Sequence, residues 1–195
     1  MLGHRTNWGS TVDVCSWAGI HCEYIDGGRH VTFVDFNKYN MRCELPASMA
    51  SLVYLHTFDV SGLLIGTVPS AIRGWRRLQV LKLYENELTG TLPSWLSELR
   101  KLREIAIVPA RGFLPGLSGT IPDSLGTLPL QRLVLDSNSL TGVVPAWAIA
   151  VTFVQMRGNM FTGPCPNNGI EHIVERKTGV FMTLLLRGDR GGGWT

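Results

Sequence analysis

The stretch ENELTGTLPSWLSEL, residues 85–99, combines an asparagine, a glycine and a proline at fixed distances with leucines that fit neither a strand nor a helix period. Similar strings recur along the chain. Six of them align on a proline, with spacings of 23, 24, 29, 23 and 21 residues: Pro46, Pro69, Pro93, Pro122, Pro145 and Pro166. A period of about 20 to 30 residues indicates a stack of one repeated structural unit.

The residues upstream of each proline complete the unit, which reads L-x-x-L-x-L-x-x-N-x-L-x-G-x-I-P from Leu78 to Pro93. This pattern resembles the leucine-rich repeat, and its G-x-I-P half resembles the plant-type subclass. Proteins of that subclass include plant receptor-kinase ectodomains, polygalacturonase inhibitors and kinetoplastid surface antigens. The resemblance implies an α/β repeat solenoid of about six repeats. Its parallel β-sheet would form the concave face, and irregular or 3-10 segments would form the convex face.

The residue types fit such a coil without reference to the family. In LQVLKL, Leu81 and Leu83 fall on one face of a short strand and Lys82 on the other. Strands stacked about 4.8 Å apart would join their leucines into one core. Three asparagines follow strands where the chain must turn, and a buried asparagine side chain bonds backbone groups that a turn leaves unpaired: Asn86, Asn138 and Asn159.

We expect three regions: an N-terminal cap at residues 1–29, repeats at 30–168, and a diverged C-terminal segment at 169–195. The segment NWGSTVDVCSWAGIHC, residues 7–22, resembles the cap of the plant-type family. That resemblance implies a disulfide between Cys15 and Cys22. The alternative, a zinc site using His21, lacks the further ligands needed to complete four-coordination, so no metal is expected. The C-terminal segment would form a partial cap followed by a disordered tail.

The other two cysteines, Cys43 and Cys165, lie four to five repeats apart. At about 4.8 Å per strand they are too far apart to form a disulfide with each other. We expect Cys43 to be a buried thiol, and the sequence leaves the redox state of both open.

The fourth unit carries about five extra residues in VPARGFLPG, residues 108–116, which we call the insertion. Two prolines and two glycines predict a protruding loop. Either it is a tolerated surface bulge or it contacts a ligand.

Composition excludes some classes of protein. The net charge of +3 is too small and dispersed for a nucleic-acid-binding surface. No apolar run reaches the roughly 18 residues of a membrane helix, and the first residues lack a signal peptide. If its relatives are secreted, we expect that this chain has lost the signal or is a fragment. The sequence does not indicate an oligomeric state.

No sequence motif indicates catalysis or a cofactor, so we do not expect an enzyme. The enzymatic alternative is a hydrolase using paired carboxylates among Asp35, Asp59 and Glu104.

The favoured hypothesis is a recognition module that binds a protein, peptide or glycan through the concave face. The family resemblance implies an extracellular or cell-surface location. The candidate ligand-binding residues are Asp35, Asn37, Asp59, Ser61, Lys82, Tyr84, Glu85, Asp136, Gln155 and Arg157. The alternative is a structural or shielding surface protein, or a degenerate repeat fragment, without a specific ligand.

Overall fold

The computed structural model describes residues 13–37, 42–62, 64–112 and 115–162, and the backbone of 181–183. Short strands alternate with single turns of 3-10 helix in this part of the chain. The strands are β1 (Ile20–Ile25), β2 (Gly28–Asp35), β3 (Thr57–Asp59), β4 (Ile65–Thr67), β5 (Val80–Thr89), β6 (Glu104–Pro109), β7 (Ser118–Gly119), β8 (Arg132–Val134), β9 (Ser139–Gly142), β10 (Phe153–Gln155), β11 (Met160–Phe161) and β12 (Phe181–Thr183). The 3-10 helices are η1 (Val14–Ser16), η2 (Ala47–Ser51), η3 (Ser70–Gly74), η4 (Ser94–Glu98), η5 (Asp123–Thr127) and η6 (Ala146–Ala150).

The main sheet has the order β1-β2-β3-β5-β6-β8-β10-β12. The β1–β2 hairpin is antiparallel, and every later pair along this path is parallel. A smaller sheet, β11-β9-β7, lies on the return path of the coils, and β4 pairs with the second half of β5. The solenoid of parallel strands and 3-10 turns predicted from the sequence is confirmed.

The repeat prolines explain where each return path turns. Each of the five described ones, Pro46, Pro69, Pro93, Pro122 and Pro145, has an extended conformation and directly precedes a 3-10 helix. Proline lacks a backbone N–H, and the first N–H groups of a helix have no partner within it, so this position costs no hydrogen bond. Pro166 lies outside the described residues.

The core is a stack of identical positions from successive strands. Six residues in register across the main sheet are completely buried: Val34, Phe58, Leu81, Ile105, Leu133 and Val154. Trp75, also fully buried, packs on Phe58 with ring centroids 4.7 Å apart and donates its Nε1–H to the Met49 carbonyl at 2.7 Å. The alternation predicted in LQVLKL therefore produces one continuous apolar column.

Glycine is required where one coil passes its neighbour closely. Gly90 has φ +80°, and a Cβ there would lie 3.1 Å from Thr67 Cγ2. Gly142 has φ +77°, and a Cβ there would lie 2.8 Å from Thr120 Cγ2. Both the left-handed backbone and the close contact exclude a larger residue.

The predicted Cys15–Cys22 disulfide is present, with the two Cα atoms 5.5 Å apart. Cys43 is a free thiol, but it is half-buried rather than buried as expected, because its repeat position is the one that glycine holds on the surface-facing return path. Cys165 lies outside the described residues, as does most of 169–195, within which β12 adds a strand to the main sheet. The expected boundary at 29/30 falls inside β2. No helix in the described ranges is both long and apolar enough to cross a membrane.

Candidate ligand-binding face

The strand register places the predicted face residues in two neighbouring columns. The central column runs across the sheet through Asp35, Asp59, Lys82, Ala106, Val134 and Gln155. The second column lies two residues further along each strand, where Tyr84 pairs with Val108. Backbone bonds continue the ladder there, from Gly62 N–H to the Tyr84 carbonyl at 3.3 Å and from Ser137 N–H to the Arg157 carbonyl at 2.6 Å. The binding role of these residues stays a prediction.

A chain of charges crosses the middle of this face. Lys82 Nζ lies 3.7 Å from Asp59 Oδ2 and 3.9 Å from Glu104 Oε1. Glu104 Oε1 also lies 3.3 Å from Arg132 Nε, and the Arg132 guanidinium lies 4.0 Å over the Phe153 ring. Five neighbouring strands, β3 to β10, are thus linked by side chains on their solvent side.

Arg132 was not predicted, and Glu104 was considered only as a hydrolase carboxylate. Both lie one strand period before the central column, at Glu104–Arg132–Phe153 in the register. Counting back two residues from Ala106 and Val134 would have found them. Because Lys82 lies between Asp59 and Glu104, these carboxylates are partners in an ion-pair network.

Tyr84 covers the centre of the face. Burial raises the pKa of the Tyr84 hydroxyl, while the charge and hydrogen bond of Arg132 lower it. Tyr84 stands on β5 and Arg132 on β8, on either side of β6 in the sheet order. Ala106 and Val134 are buried, at 0% and 3% exposure, although they belong to an outward column. The middle of the central column is therefore closed, where the sequence predicted an open row.

The N-terminal side of the face has its own polar network. Asn37 donates its backbone N–H to Asp35 Oδ1 at 3.0 Å and its side-chain Nδ2–H to Asp59 Oδ1 at 3.1 Å. Ser61 is half-buried beside it. Three of the predicted residues are therefore brought together here. Within the described ranges, no three His, Cys, Asp or Glu side chains form a group that could hold a metal ion.

The C-terminal side carries Asp136, Gln155 and Arg157. Asp136 Oδ1 accepts the backbone N–H of Arg157 at 2.7 Å. Burial raises the pKa of the Asp136 carboxyl, and the Arg157 N–H and charge oppose that shift. Gln155 is half-buried and Arg157 is exposed. This side therefore presents groups that neighbouring ion pairs do not fully occupy.

A cavity of about 540 Å³ lies at the rim of the face, and we call it the rim cavity. Its walls are formed by Tyr84 and Glu85, by residues 108–112 of the insertion, and by Asp136 and Ser137. Glu85 and Ser137 have left-handed backbones, with φ +55° and +59°. The sequence singled out Tyr84, Glu85, Asp136 and the insertion separately, and the structure joins them into one site. Ser137 was missed.

The base of the insertion is closed by the next repeat. Asn138 is 3% exposed, accepts the Leu117 N–H at 2.8 Å and donates to the Ile107 carbonyl at 2.8 Å. Ile107 and Leu117 are the residues that immediately flank the insertion. The Asn138 side chain therefore bonds to the residues on both sides of the nine-residue insertion.

The other repeat asparagines make the same pair of bonds across shorter segments. Asn86 joins the Val60 carbonyl and the Leu64 N–H across three residues. Asn159 joins the Leu135 carbonyl and the Leu140 N–H across four. The predicted role of the asparagines is borne out by these bonds, and the second unit is one residue short, as its sequence indicated.

Comparisons with known proteins agree with this architecture. The family model described as "Leucine Rich Repeat" matches residues 77–99. Receptor-like protein 41 of Arabidopsis thaliana is 30% identical over 102 residues, which are 52% of this chain and 11% of that protein.

Two solved structures from Arabidopsis thaliana are similar over most of the chain. The leucine-rich-repeat ectodomain of the receptor kinase GASSHO1/SCHENGEN3, in complex with CASPARIAN STRIP INTEGRITY FACTOR 2, has a TM-score of 0.69 and 29% identity, over 80% of this chain and 18% of that one. The BIR3–SERK2 complex has a TM-score of 0.69 and 27% identity, over 83% of this chain and 85% of the matched chain.

Repeats, return-path sheet, cap disulfide and these matches together show a leucine-rich-repeat fold that is similar to the plant-type proteins of that class. It spans 11% and 16% of the length of the first two curated relatives that it matches.

Proposed function

We propose that this chain is an extracellular or cell-surface recognition module that binds a peptide or protein partner through its concave face. The observation that carries the proposal is the pair of side-chain columns, which present charged, amide and aromatic groups on rigid neighbouring strands. Strand-borne side chains lose little freedom on binding, so more of their contact energy contributes to affinity. The division into a cap at 1–29, repeats at 30–168 and a C-terminal segment at 169–195 is part of the proposal.

The relatives support a peptide or protein over a glycan. One similar ectodomain was solved in complex with CASPARIAN STRIP INTEGRITY FACTOR 2, and another similar structure is a complex between two proteins. The relatives named are receptors or receptor-like proteins, which favours a binding role over an enzymatic one.

Within the face, the open groups lie on either side of the central ion pairs. A partner that bound over Lys82 would compete with Asp59 and Glu104, whose carboxylates already neutralise it. Tyr84 offers a half-buried ring on the paired strand β5, and aromatic anchors of this kind supply much of the energy at protein interfaces. The partner should therefore extend from Tyr84 towards Asp136 and Arg157.

The test is a surface-display screen of peptides and secreted proteins, followed by titration of three variants against any partner found. Tyr84→Ala removes the anchor, and Arg157→Glu reverses an exposed charge at the other end of the expected contact. Each should weaken binding at least fivefold, about 1 kcal/mol. Ser94→Ala, on η4 across the solenoid from the sheet, is the matched control and should leave the affinity unchanged.

A partner whose affinity is the same for all three variants would contradict binding through the concave face. A broad screen that yields no partner would favour the alternative, a structural or shielding protein without a specific ligand.

A further inference from the structure

The rim cavity has a wall chemistry that differs from the ion-paired centre of the face. Its floor and sides include the Tyr84 ring and the apolar residues Val108 and Pro109. Its volume of about 540 Å³ is within the usual range of ligand pockets, about 300–1,000 Å³. It therefore accepts one large side chain or a small molecule.

The side chains that line the cavity include two carboxylates and one guanidinium. Asp136 is half-buried at one end and Glu85 is exposed at the other, while Arg111 is exposed on the insertion. Arg157, beside Asp136, is exposed and contributes its backbone N–H to Oδ1 at 2.7 Å. Asp136 is half-buried, whereas Glu85 and Arg111 are exposed, so among these lining residues its carboxylate is the least solvated and gains most from a new partner.

Part of the wall is held in place before any ligand arrives. Asn138 bonds to Ile107 and Leu117, which flank the insertion, and Pro109 is buried as the last residue of β6. Tyr84 is half-buried on β5, which pairs with a strand on each side. A ligand that contacts Tyr84 and Pro109 therefore does not have to order the backbone that carries them.

We propose that the rim cavity binds the guanidinium of an arginine side chain supplied by the partner. A guanidinium is flat, so it stacks on an aromatic ring such as that of Tyr84, and its paired N–H groups match a carboxylate such as that of Asp136. A lysine ammonium would gain the charge contact but not the stacked, two-pronged geometry. This refines the proposed function and rests on it.

The proposal is tested with a probe that does not require the partner. We would titrate N-acetyl-arginine amide into 15N-labelled protein and follow the backbone amide resonances by NMR. We expect a dissociation constant of about 1–10 mM, with shifts concentrated at Glu85, Ala110, Gly112 and Ser137. N-acetyl-citrulline amide, which has the same shape without the charge, should bind at least fivefold more weakly.

Three variants show which charged groups of the protein affect arginine binding. Asp136→Asn keeps an oxygen for the Arg157 N–H, so the turn should survive, and arginine binding should fall at least fivefold. Asp123→Asn removes one exposed carboxylate on η5, far from the cavity, and should change nothing. Arg111→Ala removes the like charge and should tighten arginine binding about twofold.

Equal affinity for citrulline and arginine, shifts that map elsewhere, or full arginine binding by Asp136→Asn would each overturn the proposal. The two proposals fail separately. Arginine binding without any partner for the face would count against the proposed function alone. A partner whose affinity is unchanged by Asp136→Asn would count against the arginine site alone.

Discussion

Replacing Asn138 with alanine tests how much the buried hydrogen bonds of this side chain stabilise the stacked repeats. This side chain is 3% exposed and joins two backbone groups of the preceding repeat, the Leu117 N–H and the Ile107 carbonyl, each at 2.8 Å. It also donates to the Leu135 carbonyl at 3.1 Å within its own repeat. Alanine removes all of these bonds and leaves the partner groups in place.

The magnitude follows from the two groups of the neighbouring repeat. Leu117 and Ile107 are 0% and 2% exposed, so their backbone groups have little access to water. An unsatisfied buried donor or acceptor costs about 1–3 kcal/mol, which gives about 2–6 kcal/mol for the pair. The rim cavity is lined by Asp136 and Ser137, next to Asn138 in the chain, so water can reach part of the vacated space. We therefore expect a loss of about 3 kcal/mol in the free energy of unfolding.

Urea denaturation followed by circular dichroism measures this loss, and hydrogen exchange at the Leu117 amide localises it. Asn37→Ala is a matched control, because it removes an asparagine with a single side-chain donor bond to Asp59 on the solvated face. It should cost about 1 kcal/mol or less. Protection of the Leu117 amide should fall in Asn138→Ala and persist in Asn37→Ala.

Asn138→Asp distinguishes the asparagine clamp, meaning the two side-chain bonds to Leu117 and Ile107, from a simple preference for a turn-forming residue. Aspartate has nearly the same shape and suits turns, but it has no donor for the Ile107 carbonyl and brings a charge among carbonyl oxygens. It should be at least as destabilising as alanine. A nearly neutral Asn138→Asp, or a loss below 1 kcal/mol for Asn138→Ala, would refute the clamp.

Three further predictions concern neighbouring features. Ser137→Gly should raise the free energy of unfolding by about 0.5–1 kcal/mol, because glycine relieves the strain of a φ of +59°. Gly62→Ala at φ +68° should lower it by only about 1 kcal/mol, because no described atom lies within 4 Å of the new Cβ and no clash adds to the backbone strain. Effects of the same sign for the two variants in urea melts would contradict this. Deleting residues 110–114 should abolish arginine binding and raise the unfolding free energy by only about 0.7 kcal/mol, the closure entropy of the shorter loop, and a large destabilisation would contradict the clamp at its base. Reducing the Cys15–Cys22 disulfide, which joins residues 7 apart, should cost about 2.4 kcal/mol, and an unchanged melt after reduction would argue against it.

Much of the fold could be predicted because the same local sequence pattern recurs in each repeat. The period-two alternation around Leu81 fixes which side chains face the core, and the proline and glycine positions fix the return path. Stacking then follows, since no unit can bury its leucines alone. The register of Lys82 with Asp59 could be counted by aligning the core positions of the two strands, Phe58 with Leu81.

The candidate site was harder to predict because its contacts run across repeats. Nothing local to Ala106 or Val134 indicates that the assembled sheet leaves these outward positions only 0% and 3% exposed. The groups that a long side chain contacts depend on the register and spacing of the strands, which only the assembled sheet provides. The rim cavity likewise depends on how the insertion approaches Asp136, although each is recognisable in the sequence.

The asparagine clamp also explains how the coil accommodates the insertion and the rim cavity beside it. The same two bonds close segments of three, four and nine residues, so the stacking of the coils does not depend on how long the segment between them is. Each doubling of a closed loop costs only about 0.6 kcal/mol. A repeat can therefore gain residues at this point without moving the leucines beneath it. Because the segment begins where the strand ends, any added residues must stand at the rim of the concave face, beside Tyr84 and Asp136.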